Sequence, residues 1–290
     1  MPLAENGGAM WGWVKKVGRA VAKGVRGIVR GVSEVFSAVS WFIHRLIGIP
    51  ELIASLAGIR ITKKLRLKVV ILPDASGSPL ATTAAVEEVV DEAKRVFYRN
   101  RMKVRIIPPV DEETIVSHFA GSVPDYVRRP QCGPPGWAER YKGKGRWYAR
   151  HSAPYSGRGT ATVFVVDDVH EGPEDKNGCF LGLVDYGYID SGALRPPAMP
   201  TPVPVPVVTA TGSGAGASAV SVLTAAVKAF TPGVKMTLAH ELGHACDLLH
   251  RTKGGKTPGN LMRPGKDERT HHLTDWQIAW VRSSHRVRYF

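Results

Sequence analysis

From residue 65 onward, apolar residues come in short blocks whose spacing changes from block to block. "LRLKVVIL" has an apolar centre with alternating flanks and predicts a strand. In "TTAAVEEVVDEAKRVFYRN", Ala85, Val89, Ala93 and Val96 recur every three or four positions, which places them on one face of a helix. "MKVRIIPP" predicts a second strand, "TATVFVVDDV" a third, "CFLGLVDYGYID" a fourth and "PVPVVTA" a fifth. Strand, helix and further strands imply an α+β domain, a mixed sheet with helices packed on it. Residues 110–158 are rich in Gly, Pro, Arg and Tyr and read as one long loop. "RPPAMPTPVPVP" is stiff and "TGSGAGAS" is flexible, and both are expected at the surface near the approach to the helix described below.

The first 64 residues follow a different pattern, so the chain divides into a helical segment (1–64) and a larger domain (65–290). Val14, Val17, Val21, Val25, Ile28, Val32 and Val35 recur with helical spacing, and Lys15, Lys16, Arg19, Lys23, Arg26 and Arg30 mostly occupy the other side. Such a helix suits an anionic membrane surface, or it packs its stripe on the domain that follows. "VFSAVSWFIHRLIGIPELIASLAGI" is strongly apolar, but His44, Arg45, Pro50 and Glu51 interrupt it. It falls short of the ~20 nearly uncharged residues of a spanning helix. A basic part this long, before an apolar part this broken, does not make a clear classical signal peptide. The segment is expected to act in secretion, export or membrane association.

Charge sharpens this division. The chain has 290 residues and a net charge of +14. Eleven Lys/Arg against three Asp/Glu fall within residues 1–66, and nine against three within 251–290, so the middle is neutral. A basic excess of this kind fits nucleic acid, anionic membrane or an acidic partner. No zinc-finger, RRM, KH or helix-turn-helix pattern supports nucleic acid. Three cysteines with no CxxC pair exclude a disulfide-framework protein and leave the redox compartment open.

The chemistry is concentrated in "HELGHACDLLH", residues 240–250. "TPGVKMTLAHELGHACDLL" opens with Thr231 as a helix cap and Pro232 at the first helical position. His240 and His244 stand four residues apart, so their rings share one helix face and make a rigid half-site for Zn2+. Glu241 is too close to His240 to join it easily as a ligand, but is well placed to take a proton from a zinc-bound water. His250 lies six residues after His244 and serves as third ligand if the helix stops and turns.

This pattern resembles the metzincin signature HExxHxxGxxH. Downstream, "GNLMRPG" resembles the family's methionine turn, with Met262 twelve residues after His250. "LTDWQIAWVRSS" is similar to the C-terminal helix of bacterial metzincin-like peptidases, and Thr274 with Gln277 makes a capping box for it. The resemblance implies a metzincin-like mixed sheet with an active-site helix and a C-terminal helix. It also implies a zinc endopeptidase whose ligands are His240, His244 and His250, whose general base is Glu241, and whose structural methionine is Met262. Peptide or protein substrates would bind extended across the cleft, against an edge strand. Asp247 stands where the family carries Gly. It must either adopt the left-handed backbone that Gly provides there, or serve as a carboxylate behind a ligand histidine.

Cys246 reads as a small buried hydrophobe. "RRPQCGPPGW" around Cys132 is similar to the cysteine-switch segment of matrix metalloproteinase propeptides. The other readings of Cys132 are a disulfide to Cys179 and a free thiol. An alternative function places the main activity in residues 1–60, as a membrane-active or targeted effector that engages anionic lipid or an export machine, with the zinc domain accessory or structural.

Overall fold

A computed structural model describes residues 42–43, 45–99, 101–132, 143–152, 159–171, 174–180, 185–194, 236–250, 259–263 and 269–289. The expected helix over residues 14–35, the "PVPVVTA" strand, both Pro- and Gly-rich stretches and the Thr231–Pro232 helix start lie outside these residues. The architecture is a mixed, mostly parallel sheet with helices packed on it. Its principal strands are β1 (Lys63–Ile71), β2 (Val104–Ile107), β3 (Val116–His118) and β4 (Ala161–Val166). A two-stranded ribbon follows, β5 (Val169–Glu171) with β6 (Glu174–Lys176), and then β7 (Gly178–Phe180) and β8 (Tyr186–Asp190) return to the main sheet. β9 (Gly259–Asn260), β10 (Arg269–His272) and β11 (Val287–Arg288) complete the strands among the described residues. The main path runs β11-β1-β4-β8-β7, with β2 and β3 also pairing with β1. β1 is parallel to β2, β3 and β4, and β4 is parallel to β8. β7 and β11 are antiparallel and close the two ends of that path.

The helices are α1 (45–56), α2 (Thr83–Tyr98), α3 (Asp125–Arg128), α4 (Gly143–His151), α5 (Thr237–Ala245) and α6 (Asp275–Arg282). β4 is buried along its whole length, which explains its unbroken apolar run, since both faces of a central parallel strand are covered. α2 starts at a Thr82 cap that accepts from the Ala85 amide, and buries Val86, Val89, Val90, Ala93, Val96 and Phe97. Its packing partners include β2 and α5, so it ties the sheet to the histidine-bearing helix.

Two sequence expectations change here. "CFLGLVDYGYID" is not one strand: its halves pair antiparallel as β7 and β8, with Cys179 opposite Tyr188. The run carries Gly182 and Asp185 at its middle, but apolar residues continue on both sides, so periodicity alone did not reveal the reversal. Residues 110–158 are not all loop, because β3, α3 and α4 fall inside them. These elements are short, and α4 ("GKGRWYARH") is too polar for a hydrophobic signal. What anchors α4 is aromatic: Tyr148 is fully buried against Phe164, Tyr186 and Tyr188, and its hydroxyl donates to the Val127 carbonyl. Tyr186 and Tyr188 thus belong to the core.

A disulfide joins Cys132 to Cys179, with Cα atoms 5.9 Å apart across 47 positions of sequence. It fastens the segment that follows α3 to β7, the last strand of the main path among the described residues. In the chain-entropy account, closing a loop of that size stabilises the fold by about 4 kcal/mol.

α1 is docked on α6 and the start of β1 through charged groups. Arg282 is completely buried and donates to Glu51 of α1 (2.7 Å), to the Met102 carbonyl (2.6 Å) and to the Ile61 carbonyl (2.7 Å). Lys63 lies 3.8 Å from the same Glu51 carboxylate. Removing one partner of a buried pair strands the other charge, at about 3–5 kcal/mol. Gly48 is needed on this face, because a side chain there would run into the Ser283 carbonyl. The opposite face of α1 exposes Leu46, Ile47, Ile53 and Leu56, with Ile47 71% and Ile53 61% accessible. Among the described residues no helix is long and apolar enough to cross a membrane.

Candidate metal centre

α5 is buried almost all round: Leu238, Ala239, Leu242 and Ala245 are inaccessible, and His240 and Glu241 are 1% and 4% exposed. Its main packing partners among the described elements are α2, β7 and β8. A helix packed on several sides presents its polar groups to a chosen spot rather than to bulk water, and here the spot is defined by three histidines. The Nε2 atoms of His240, His244 and His250 form a nearly equilateral triangle, with separations of 3.1 Å (His240 to His244), 3.0 Å (His240 to His250) and 3.0 Å (His244 to His250). They are the ligand-capable cluster among the described residues.

Their protonation argues for a cation. His240 Nδ1 lies 2.7 Å from the Leu261 carbonyl and His244 Nδ1 lies 2.7 Å from the Leu248 carbonyl. A carbonyl only accepts, so each Nδ1 carries the proton and, in the neutral ring, each Nε2 presents a lone pair. Two lone pairs facing each other at 3.1 Å cannot hydrogen-bond and repel. A cation reverses the sign of that interaction. Tetrahedral ligation with Zn–N of ~2.0–2.1 Å needs nitrogens ~3.3 Å apart, so the triangle fits zinc with a small expansion. The carbonyls play the outer role typical of histidine sites, fixing tautomer and ring orientation.

His250 reaches the triangle because α5 ends abruptly. The Asp247 amide donates to the His244 carbonyl (2.8 Å) and the Leu248 amide to the Gly243 carbonyl (3.0 Å), a Schellman-type ending. Asp247 sits at φ +65°, in the left-handed region that glycine adopts without strain. Of the two roles open to Asp247, the backbone one is therefore filled. Its carboxylate meets Arg45 of α1 at 2.6 Å, not a ligand histidine.

Met262 is fully buried in a tight turn, where the Arg263 amide donates to the Asn260 carbonyl (3.1 Å) and the Met262 amide to Asn260 Oδ1 (2.9 Å). The turn packs directly on α5: a methyl group at Gly243 would come within 2.5 Å of Met262 Sδ. The same turn supplies the Leu261 carbonyl that orients His240. Gln277 of α6 holds it from behind, accepting from Asn260 Nδ2 (2.8 Å) while closing the capping box with Thr274. One buried glutamine thus starts the C-terminal helix and secures the turn under the histidines.

Glu241 faces β7, which ends the main sheet path among the described residues. A methyl group at Gly178 would come within 3.0 Å of its Cγ, so glycine is what admits the glutamate there. Cys246 is inaccessible, and burial pushes its thiol up to about 12. Its sulfur is not among the ligand atoms that cluster with the three histidines, which fits a packing residue. His271 lies 2.7 Å from the buried Glu92 of α2, and His272 lies in β10, so neither reaches the triangle.

Sequence reasoning missed Arg45, Asn260, Gly178 and the Leu248 and Leu261 carbonyls. The "NL" of "NLM" was visible, but its hydrogen-bonding role was not. Arg45 lies 195 positions before His240 and carries no local signal.

No protein-family model matches the chain, and no curated protein is similar to it. Among solved structures, it is similar to a zinc-dependent peptidase from Methanocorpusculum labreanum, at 12% identity and a TM-score of 0.37, over 73% of this chain and 99% of that one.

Proposed function

We propose that the protein is a zinc endopeptidase of the metzincin kind. The observation that carries this reading is the convergence of three Nε2 atoms within 3.1 Å of one another, two of them fixed as lone-pair donors by carbonyls behind them. His240, His244 and His250 would hold the metal, which when bound acidifies a water and polarises a carbonyl. Glu241 accepts the proton of the attacking water and passes it to the departing amine. Its burial beside β7 keeps bulk water from competing for that proton. β7 ends the main sheet path, so an extended peptide laid along it would run past Glu241. Met262 forms the floor beneath the histidines and binds no metal. The test is the Glu241→Gln variant, assayed in parallel for zinc and for cleavage of an unfolded protein.

A second reading concerns the partner of the N-terminal segment, and the exposed apolar face of α1 favours it. Residues 1–66 carry eleven Lys/Arg against three Asp/Glu, and each basic group near an anionic leaflet contributes about 1 kcal/mol. On this reading the full chain co-sediments with phosphatidylserine-containing vesicles at low salt and is released by high salt. Replacing Ile47 and Ile53 together by Glu should cut the bound fraction severalfold, since both lie in the face that would enter the interface. Equal binding to neutral vesicles, or none to anionic ones, contradicts it.

A further inference from the structure

Asp247 occupies an unfavourable backbone conformation at the step that brings His250 to the metal triangle. A non-glycine residue persists at such a φ only where its surroundings hold it. Here the holding group comes from α1. Arg45 Nη2 donates to Asp247 Oδ2 at 2.6 Å and to the Cys246 carbonyl at 3.1 Å. Its Nη1 donates to Ser283 Oγ (3.3 Å) and the Trp280 carbonyl (3.4 Å), and the guanidinium lies 4.1 Å from the centre of the Trp280 ring. Trp280 Nε1 in turn donates to the Asp247 carbonyl at 3.2 Å. The carbonyls of Cys246 and Asp247 and the Asp247 carboxylate are therefore gripped by one arginine and the tryptophan it stacks on. The ion pair is largely shielded, with side-chain exposures of 12% and 10%.

The gripped turn serves two ligands at once. One residue on, the Leu248 carbonyl accepts from His244 Nδ1 (2.7 Å), and three residues on His250 delivers its Nε2. A change in the path of 246–248 would therefore misplace one ligand and release the orientation of another.

We infer that Arg45 is a positioning residue for the metal centre: α1 acts as a strut whose grip on Asp247 holds His244 and His250 in register for zinc. The inference rests on the zinc reading above. It makes metal affinity a property shared with the N-terminal segment, not of the domain at 65–290 by itself. Asp with Arg45 does here what a glycine would do unaided.

A cycle of variants in the full chain tests this. Zinc affinity is measured by competition with a chromophoric chelator, and ligand geometry by the visible d–d absorption of the cobalt-substituted protein. Arg45→Met keeps an unbranched stem against Trp280 and removes the charge. It should weaken zinc about 10–100-fold, the range typical of lost outer partners, and alter the cobalt band. Asp247→Gly takes the left-handed conformation freely and should stay within about threefold of the parent. In the Asp247→Gly background, where only the bond to the Cys246 carbonyl is left to lose on that turn, Arg45→Met should cost much less than in the parent, which a merely destabilising arginine loss would not reproduce. Asp247→Asn, which keeps shape but loses the charge pair, serves if Arg45→Met does not fold, and should lose about tenfold. Parent-like zinc affinity in Arg45→Met or Asp247→Asn overturns the strut, as does an equal loss in the glycine background. A parent chain that binds no zinc overturns the zinc reading and the strut together, which separates the two failures.

Discussion

The Glu241→Gln protein is expected to hold zinc as the parent does and to cleave an unfolded protein substrate about 10³-fold more slowly. Glutamine matches glutamate in size, so it fits the space beside Gly178 that the glutamate fills, and the site is too buried for large rearrangement. Metal is retained because the three imidazoles, not the carboxylate, converge on the centre. Catalysis fails because an amide cannot take the proton of the attacking water, and loss of a positioned base costs about 10²–10⁴ in rate. Loss of zinc in this variant would make Glu241 a ligand, and parent-like cleavage would remove it from the mechanism.

The second large effect is on metal. His244→Ala should retain less than about a tenth of the parent's zinc after dialysis against a weak chelator, because two remaining nitrogens cannot replace a three-ligand site. The substitution also deprives the Leu248 carbonyl of the ring it orients, so the turn toward His250 loses a fastening. His271→Ala is the control: it breaks the contact with Glu92 and should leave zinc content unchanged, because that ring lies outside the triangle. Comparable zinc in His244→Ala and the parent would mean that the histidines meet for some reason other than metal.

Periodicity located the elements with long, regular patterns. The expected strand at 65–72 appears as Lys63–Ile71, and the expected helix at 82–100 as Thr83–Tyr98. The capping box of Thr274 and Gln277 is present as read, since capping is a local code of four residues. Legibility stopped where geometry is set by distant groups. The β7–β8 reversal hides between two apolar blocks, with only Gly182 and Asp185 as breaks between them, and α4 is held by an aromatic cluster that no spacing announces. The motif helix itself was readable because i and i+4 share a face. How Asp247 tolerates its position was not, because the answer is an arginine 202 residues earlier. The same holds for the turn at Asn260, whose side chain is fixed by a glutamine 17 residues on.

The most direct test of the central claim is X-ray absorption at the zinc edge of the purified full-length chain. Three nitrogen neighbours at ~2.0–2.1 Å and one light oxygen neighbour, with about one zinc per chain, are what a three-histidine catalytic centre requires. A sulfur neighbour at ~2.3 Å, which would bring Cys246 into the site, or a protein that purifies without zinc and takes up none, would contradict it.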